Sequence, residues 1–432
     1  MMQAPRLPAS PSHRWKVFAA GVAANAAFSV AFSGIPMTAV LMRSGYRLDN
    51  ATLGLVLGLM GLGIAVSELP WGLLTDRWGD RPVLLTGLGA TATALLAMAV
   101  FAAPSGPQVP GLGWLGAGLL LVGLLGGSVN GASGRAVMGW FAEGERGLAM
   151  SVRQTAVPLG GAIGALLLPA VALHFGFASM YALLAALCGL SALLAWAWVR
   201  EPSPAAARPA PPPGTIAMRI DGPLRDARVW RLAAGIGILC APQFAVLSFG
   251  TVFLHDFGHV GLSVIAAAMT VVQVGAMVMR VWSGRWTDRR KNRPAYLRAC
   301  SLLSVGLFAA LAGLAWAGEA AAGTSATPRA LLIALLAASG ICVSAWHGVA
   351  YTELATLSGA ARAGTALGMA NTSVFLVCFL TPLSIPHLLA LQGWPLVWLM
   401  AAACAGAALP LLTGPAKVAQ AKASNAALSR ST

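Results

Sequence analysis

Charged residues are scarce in this chain of 432 residues, and acidic residues are the rarest of them. Only 9% of the sequence is charged, with 13 Asp and Glu against 28 Lys and Arg, whereas 58% is hydrophobic. A water-soluble domain of this size has no means of hiding so much apolar surface. The composition therefore excludes a soluble globular protein and predicts a membrane protein.

Several chemical signatures are also missing. The sequence has no G-x-x-x-x-G-K-[ST] loop for nucleotide hydrolysis and no H-E-x-x-H metal motif, and its six histidines do not cluster. The six cysteines lie in apolar segments without a C-x-x-C pair, which favours packing residues over a disulfide or metal framework. We therefore expect no enzyme activity, no cofactor and no bound metal.

Long apolar runs dominate what is present. Roughly 20 apolar residues span a bilayer core as a helix, and the sequence contains twelve runs of this kind. They lie at residues 16–41, 51–75, 83–103, 111–140, 148–173, 178–199, 229–254, 260–285, 295–318, 329–355, 364–391 and 394–413. The sequence thus predicts an all-α membrane protein with twelve transmembrane helices.

A shift in composition between the sixth and seventh runs divides the chain into two halves. The stretch contains Glu201-Pro-Ser-Pro and a further proline run, which predicts an extended linker. We predict five segments, which are a cytoplasmic amino-terminal segment, a six-helix bundle, a cytoplasmic Pro-rich linker, a second six-helix bundle and a disordered cytoplasmic tail. They comprise residues 1–15, 16–200, 201–227, 228–413 and 414–432.

Basic residues are distributed asymmetrically along the predicted helices. If the amino terminus is cytoplasmic, all Lys and Arg residues except Arg43, Arg47 and Arg329 fall in cytoplasmic segments or in the cytoplasmic ends of helices. This distribution follows the positive-inside rule. The formal net charge of +15 therefore reports topology, with both termini cytoplasmic. It does not indicate a nucleic-acid partner, because no basic surface with interleaved aromatic residues is present.

One charged segment occurs twice. Residues 72–82, Gly-Leu-Leu-Thr-Asp-Arg-Trp-Gly-Asp-Arg-Pro, reappear 212 positions later at 284–294 as Gly-Arg-Trp-Thr-Asp-Arg-Arg-Lys-Asn-Arg-Pro, and six of the eleven positions are identical. The segment follows the second long apolar run of each half, which predicts two related six-helix bundles. The glycine that begins each copy, Gly72 or Gly284, is predicted to let a neighbouring helix approach closely.

The paired segments resemble the loop signature G-x-x-x-D-R-x-x-x-R-P of the major facilitator superfamily, which follows helices two and eight in that family. The resemblance covers about residues 16–413 and implies two pseudo-symmetric six-helix bundles that transport a solute. Two positions depart from the family pattern. Lys291 stands where the family usually has glycine, and Asp80 where it usually has a basic residue.

The charges of the repeated segment are the predicted gate. Each aspartate ends a helix on the cytoplasmic side, where a carboxylate stabilises the positive end of a neighbouring helix. The resemblance implies that Asp76 meets the start of helix eleven, and Asp288 the start of helix five, only when the cytoplasmic side is shut. The predicted gate residues are Asp76, Arg77, Arg81, Asp288, Arg289 and Arg293. The alternative is that these charges only enforce topology.

Two membrane-embedded charges occupy equivalent positions in the halves. Glu68 lies eight residues before Asp76, and Arg280 eight before Asp288, which is about 12 Å along a helix. Charges near the midplane cost about 2.5–3.5 kcal/mol each on insertion scales and require a reason. In one interpretation Glu68 and Arg280 pair across the interface. In the other, Arg280 binds a carboxylate-like anion with its planar fork and Glu68 carries a coupled proton.

Further polar side chains are predicted substrate contacts. Arg135 in helix four and His347 in helix ten are 212 positions apart, which suits an anion site at matched depth. Alternatively, Arg135 reaches the cytoplasmic interface and His347 packs in the core. The remaining predicted contacts are the amides Asn25, Asn130, Gln154, Gln243 and Asn371, each of which can instead form an interhelical hydrogen bond. Arg153 is interpreted as a topological anchor.

These features predict a secondary active transporter of a small organic anion. The stretch 280–288 is similar to the corresponding helix of monocarboxylate and oxalate/formate transporters, and residues 146–161 are similar to bacterial permeases near the nitrate and cyanate groups. We expect proton-coupled alternating access by a monomer in the bacterial inner membrane. The alternative is efflux of hydrophobic drug-like compounds past the apolar walls Phe28, Phe32, Phe244 and Phe249.

Overall fold

The structure is a computed structural model, and it describes residues 12–106, 108–141, 149–150, 152–200, 223–320, 329–358 and 363–413. Within these ranges the backbone is helical apart from short turns and one isolated β-bridge between Ser105 and Gln108. The predicted all-α class is confirmed. The predicted linker and tail fall almost entirely outside the described residues.

Ten helices of the described chain are long and apolar enough to cross a membrane. Two of them, Val152–Trp198 and Ala363–Thr413, have 47 and 51 residues, about twice what one crossing requires. Each consists of two helices that meet at a kink, where Gly176 (φ 80°) and Gly393 (φ 67°) adopt conformations that glycine tolerates at low cost. With each kinked helix counted as two, the described residues form twelve helical segments of membrane-spanning length, and both kinks lie where the sequence predicts a break.

We number these helices α1 to α12 in chain order. The first half comprises α1 (His13–Gly45), α2 (Asn50–Trp78), α3 (Asp80–Phe101), α4 (Leu112–Gly126 and Ser128–Trp140), α5 (152–175) and α6 (177–198). The second half comprises α7 (Ala227–Phe257), α8 (Leu262–Arg290), α9 (Arg293–Ala320), α10 (Arg329–Ser344 and His347–Ser358), α11 (363–391) and α12 (394–413).

The repeated segment is mostly helix, because α2 and α8 run to Trp78 and Arg290 and not to the predicted residues 75 and 285. A single residue, Gly79, joins α2 to α3 at φ 91° and ψ 172°, a conformation open essentially to glycine alone. Lys291 at the equivalent position has φ 49° and ψ 38°, in the left-handed helical region. The two turns therefore differ in geometry where their residues differ.

A break within α10 is not predicted by the sequence. Residues 345–346 form a turn between the two parts of the helix. The carbonyl oxygen of Ala345 accepts hydrogen bonds from the Ser283 hydroxyl at 3.3 Å and from the Tyr296 hydroxyl at 3.4 Å. Irregular backbone at membrane depth is tolerated when protein groups satisfy it in this way. The break places His347 at the start of the second part of α10.

Two aspartates outside the membrane helices begin α2 and α7. The Asp49 carboxylate accepts hydrogen bonds from the hydroxyl and the backbone N–H of Thr52, which lower the pKa of Asp49. The Asp226 carboxylate accepts from the Arg228 side chain and backbone, which lowers its pKa in the same direction. Both carboxylates stabilise exposed N–H groups at a helix start.

Three pairs of helices connect the two halves. They are α2 with α11, α5 with α8, and α1 with α7. The pseudo-symmetry of the two bundles relates the α2–α11 pair to the α8–α5 pair, and it relates α1 to α7. This arrangement supports the predicted architecture. The midplane charges Glu68 and Arg280 belong to α2 and α8, so each lies on a helix that forms the interface between the halves.

Candidate functional site

A polar network crosses the interface near the bilayer midplane, and Glu68 is at its centre. The Glu68 Oε1 accepts hydrogen bonds from the Asn371 amide of α11 at 2.9 Å and from the Asn130 amide of α4 at 3.4 Å. The Asn371 oxygen in turn accepts from the Tyr351 hydroxyl of α10 at 2.8 Å. One carboxylate therefore joins helices of both halves, and the amides Asn130 and Asn371, which are predicted substrate contacts, form interhelical hydrogen bonds here.

Arg153 also belongs to this network, and its interpretation as a topological anchor is wrong. The side chain is 1% exposed. Its Nη2 donates to the Asn130 side-chain oxygen at 2.9 Å and to the Asn130 carbonyl at 2.6 Å, and Ser133 accepts from Nε and Nη2. The positive charge is close enough to interact electrostatically with Glu68. Arg153 thus supplies the counter-charge of Glu68.

Arg280 is buried on α8 with few partners. It is 8% exposed, and its Nη1 donates to the backbone carbonyl of Gln154 at 3.2 Å, whereas its buried Nε has no hydrogen-bond partner. Within the described parts of the chain, no ion pair includes this guanidinium. A guanidinium has five N–H donors, and a buried charge without a counterion is costly.

Glu68 and Arg280 do not pair with each other, which corrects the first of the two predicted interpretations. No ion pair among the described residues joins them, and the second carboxylate oxygen of Glu68, Oε2, is buried without a hydrogen-bond partner. Tyr351 lies within electrostatic reach of both charges. Glu68 and Arg280 are therefore two separate charged groups near the same tyrosine.

Arg135 is separate from this centre. Its Nε donates to the Asp80 carboxylate at 2.6 Å, and the Arg135 side chain is 39% exposed. This corresponds to the alternative in which Arg135 reaches the membrane interface. Asp80, which departs from the family pattern, therefore forms an ion pair with Arg135.

His347 stacks on Trp346 with ring centroids 3.8 Å apart, and its Nδ1 lies 3.3 Å from the Ser344 carbonyl oxygen. It remains within electrostatic reach of Arg280. Two predicted amides, Asn25 and Gln243, are buried but form no hydrogen bond with the Glu68 network in the described chain.

An aromatic cluster adjoins the network about one turn further along α11. Phe32 of α1 contacts Phe28, Phe244 and Phe375, with ring centroids 6.4, 5.7 and 5.5 Å apart. Phe375 is absent from the predicted set, and Phe249 is fully buried away from these rings. The polar network is therefore bounded on one side by apolar rings from both halves.

The halves pack tightly at the end that carries the turn between α1 and α2, which we call the far end. A Cβ at Gly54 would lie 2.1 Å from the Pro382 carbonyl oxygen, and one at Gly58 would lie 2.9 Å from the Phe379 carbonyl oxygen. Arg43 of α1 forms a bidentate ion pair with Asp256 of α7, in which Nη2 donates to Oδ1 at 2.6 Å. These contacts close the interface at the far end.

The end that carries the repeated segments, which we call the motif end, is open by comparison. A Cβ at Gly72 or Gly284 would have no atom of the described residues within 4 Å. The predicted close approach at these glycines is therefore wrong for this conformation. Among the described residues, the closest backbone contacts between the halves are therefore at the far end.

The predicted gate residues make contacts within their own half. Arg81 donates to the Trp196 carbonyl at 2.7 Å, at the end of α6, and Arg293 binds Asp288 at 3.1 Å and Thr356 of α10 at 3.2 Å. Asp288 is 67% exposed and has no described contact with α5. Arg77 and Arg289 are exposed, and the Asp76 side chain lies outside what the structure describes.

Comparison with known proteins places the chain among transporters. A family model for the Major Facilitator Superfamily matches residues 18–326. The chain is 31% identical over 409 residues to the uncharacterized MFS-type transporter Rv2994 of Mycobacterium tuberculosis (strain ATCC 25618 / H37Rv), covering 91% of this chain and 85% of that protein. A second relative, the uncharacterized MFS-type transporter MT3072 of strain CDC 1551 / Oshkosh, is 32% identical over the same length and with the same coverage.

Solved structures share the fold at low sequence identity. A D-xylose-proton symporter superposes with a TM-score of 0.72 and 16% identity, covering 92% of this chain and 97% of that chain. A bacterial homolog of the human lysosomal transporter Spinster, in its inward-facing and unoccupied conformation, has a TM-score of 0.67 and 15% identity, with 94% and 95% covered.

Proposed function

The chain belongs to the Major Facilitator Superfamily of multi-pass membrane transporters, and we propose that it carries a small organic anion of the carboxylate class together with protons. The proposed location is the bacterial inner membrane, with both termini cytoplasmic and the motif end facing the cytoplasm. The transported anion binds at Arg280, and Glu68 carries the proton. The observation that supports this most strongly is the unpaired guanidinium of Arg280.

Arg280 is suited to an anionic ligand because its hydrogen-bonding capacity is largely unused. The other buried arginine of the site, Arg153, has Asn130 and Ser133 as acceptors and Glu68 as a counter-charge. Arg280 has one carbonyl oxygen. A carboxylate matches the planar fork with two parallel hydrogen bonds, and it would neutralise the charge that the protein leaves uncompensated.

Glu68 is suited to couple a proton to this binding because its hydrogen bonds cross the interface. When ionised, its carboxylate accepts from Asn371 in one half and Asn130 in the other. Protonation removes the charge that strengthens both hydrogen bonds. A proton on Glu68 thus loosens one connection between the bundles at the depth where the anion binds, and it changes the free-energy difference between the two access states.

Replacement of Arg280 by lysine tests the anion site directly. The variant keeps the charge and loses the fork geometry, so we expect thermal stabilisation of the purified protein by small carboxylates to weaken at least roughly tenfold in apparent affinity. Arg298→Lys is the matched control, because Arg298 is an exposed arginine on α9. Stabilisation by lipophilic cations alone, or an unchanged response of Arg280→Lys, overturns the anion proposal and favours efflux of hydrophobic compounds.

Replacement of Glu68 by glutamine tests the coupling in proteoliposomes. We expect exchange of the anion across the membrane to persist, while accumulation driven by a proton gradient is lost. Glutamine retains an oxygen that can accept the hydrogen bond from Asn371, but its amide cannot carry the coupled proton. Accumulation at the level of the parent protein excludes Glu68 as the proton carrier and leaves the anion site untouched.

A further inference from the structure

A lateral groove of about 670 Å³ lies between α5 and α8 at the motif end. Val152 and Thr155 of α5 form one wall. The other wall is one face of α8, with Met277, Val278, Val281, Trp282, Arg285, Trp286 and Arg289. Positions 277, 281, 285 and 289 follow one another at one residue per helical turn, so they lie in a single row. Arg280 is buried on the neighbouring face of the helix and does not line the groove.

The groove is apolar along most of its length and basic at its outer end. Val278 and Trp282 are 56% and 49% exposed, so the wall faces the surroundings of the protein and not its core. Arg285 and Arg289 are exposed one turn apart near the end of α8, and neither forms a hydrogen bond or ion pair with the described residues. None of the described residues that line the groove is a carboxylate, and Asp288 of the same helix binds Arg293.

We propose that this groove binds an acidic phospholipid, whose phosphate contacts Arg285 and Arg289 while an acyl chain lies against Val278, Val281 and Trp282. The groove opens sideways at membrane depth, where the surrounding molecules are lipids and water is excluded. Arginine matches phosphate geometry with paired hydrogen bonds. Two basic side chains in the lining favour a lipid with net negative charge over a zwitterionic one.

The bound lipid has a consequence for the conformation of the protein. An acyl chain between α5 and α8 occupies space at the motif end, where the two halves must approach each other for that end to close. The lipid therefore binds more tightly to the open state than to the closed one and shifts the equilibrium toward the open state. This inference depends on the groove alone and holds for any transported substrate.

Tryptophan fluorescence tests the proposal on the purified full-length protein in detergent micelles. The protein is titrated separately with phosphatidylglycerol and with phosphatidylcholine, both with brominated acyl chains. Bromine quenches the fluorescence of tryptophans that it contacts. We expect phosphatidylglycerol to quench the fluorescence at a lower lipid concentration than phosphatidylcholine does. In Trp282→Phe/Trp286→Phe this difference between the two lipids should disappear.

The double variant Arg285→Gln/Arg289→Gln should weaken phosphatidylglycerol binding at least roughly tenfold. Arg298→Gln, an exposed arginine on α9, is the matched control and should change it less than twofold.

Four results overturn the proposal. The first is that both lipids quench at the same concentration, and the second is that Arg285→Gln/Arg289→Gln and Arg298→Gln bind phosphatidylglycerol equally. The third is that soluble glycerol phosphate displaces phosphatidylglycerol completely. The fourth is that Trp282 is buried in a dimer of the purified protein. Arg285→Lys/Arg289→Lys retains the positive charge and should keep a preference for phosphatidylglycerol. That variant distinguishes loss of lipid binding from loss of folding, and melting temperatures are measured for every variant.

Discussion

The two ends of the interface between the bundles differ in how closely the backbones approach. At the far end, α2 and α11 are so close that a methyl group at Gly54 would overlap a carbonyl oxygen of α11. At the motif end, Gly72 on the same helix has open space around it. Glu68 lies between the two regions. A single helix is thus tightly packed on one side of the central network and free on the other.

This difference shows that small residues along one helix serve different conformations. Glycines on α2 from Gly54 to Gly61 form the contact that exists in this structure, whereas Gly72 and Gly284 are available for an approach that is not made here. Alternating access requires one such region to separate as the other closes. Substitutions in the two regions should therefore have unequal effects on the stability of this state.

The largest effect is expected for Gly54→Ala. The new Cβ meets backbone atoms of Pro382, so relief requires movement of a helix, and overpacking of this kind costs about 1–3 kcal/mol. We expect a drop of several degrees in the thermal midpoint of the purified protein, measured by intrinsic fluorescence. Gly72→Ala and Gly284→Ala are the matched controls and should not lower the midpoint, because alanine favours the helix over glycine. Equal shifts in all three variants contradict the comparison.

A smaller effect is expected for Asp256→Asn at the far end. The substitution removes the carboxylate that binds Arg43 and His255, and a partly exposed pair of this kind is worth about 1 kcal/mol. The population with the far end open should rise roughly fivefold. Labelling of a cysteine introduced at Met42, which is fully buried, measures this opening. Asp49→Asn, at the same end but at a helix cap, should not change the labelling rate.

The smallest effect is expected for Arg293→Gln at the motif end. It removes the ion pair with Asp288, whose side chain is 67% exposed. Exposed ion pairs contribute about 0–1 kcal/mol. Both the thermal midpoint and the labelling of the Met42→Cys reporter should stay within error of the parent. A change as large as that of Asp256→Asn would show that the motif end also contributes to the stability of this state.

Most of the fold follows from the sequence, because apolar length and glycine placement determine it. The kinks at Gly176 and Gly393 coincide with the predicted breaks between helices. The break in α10 does not, since Ala345 and Trp346 carry no helix-breaking signal. That turn depends on hydroxyl donors from Ser283 and Tyr296, which are distant in sequence. Tertiary contacts of this kind are invisible to local patterns.

The candidate site is predicted less completely, because depth in the membrane does not fix direction around a helix. Equal distance from the repeated aspartates places Glu68 and Arg280 at the same level, yet they form no ion pair in the described chain. The sequence places Arg153 near the end of α5, whereas its burial depends on acceptors from Asn130 and Ser133. The signal that could have found it is the polar pair at 130 and 133 on α4.

The kinks at Gly176 and Gly393 also bear on how the chain enters the membrane during synthesis. Each leaves only one or two residues between successive crossings, α5 to α6 and α11 to α12. Such a connection offers no polar loop for the insertion machinery to transfer after the first helix has settled. We therefore expect each pair to enter the bilayer as a helical hairpin, so that the last two crossings of each half are inserted together.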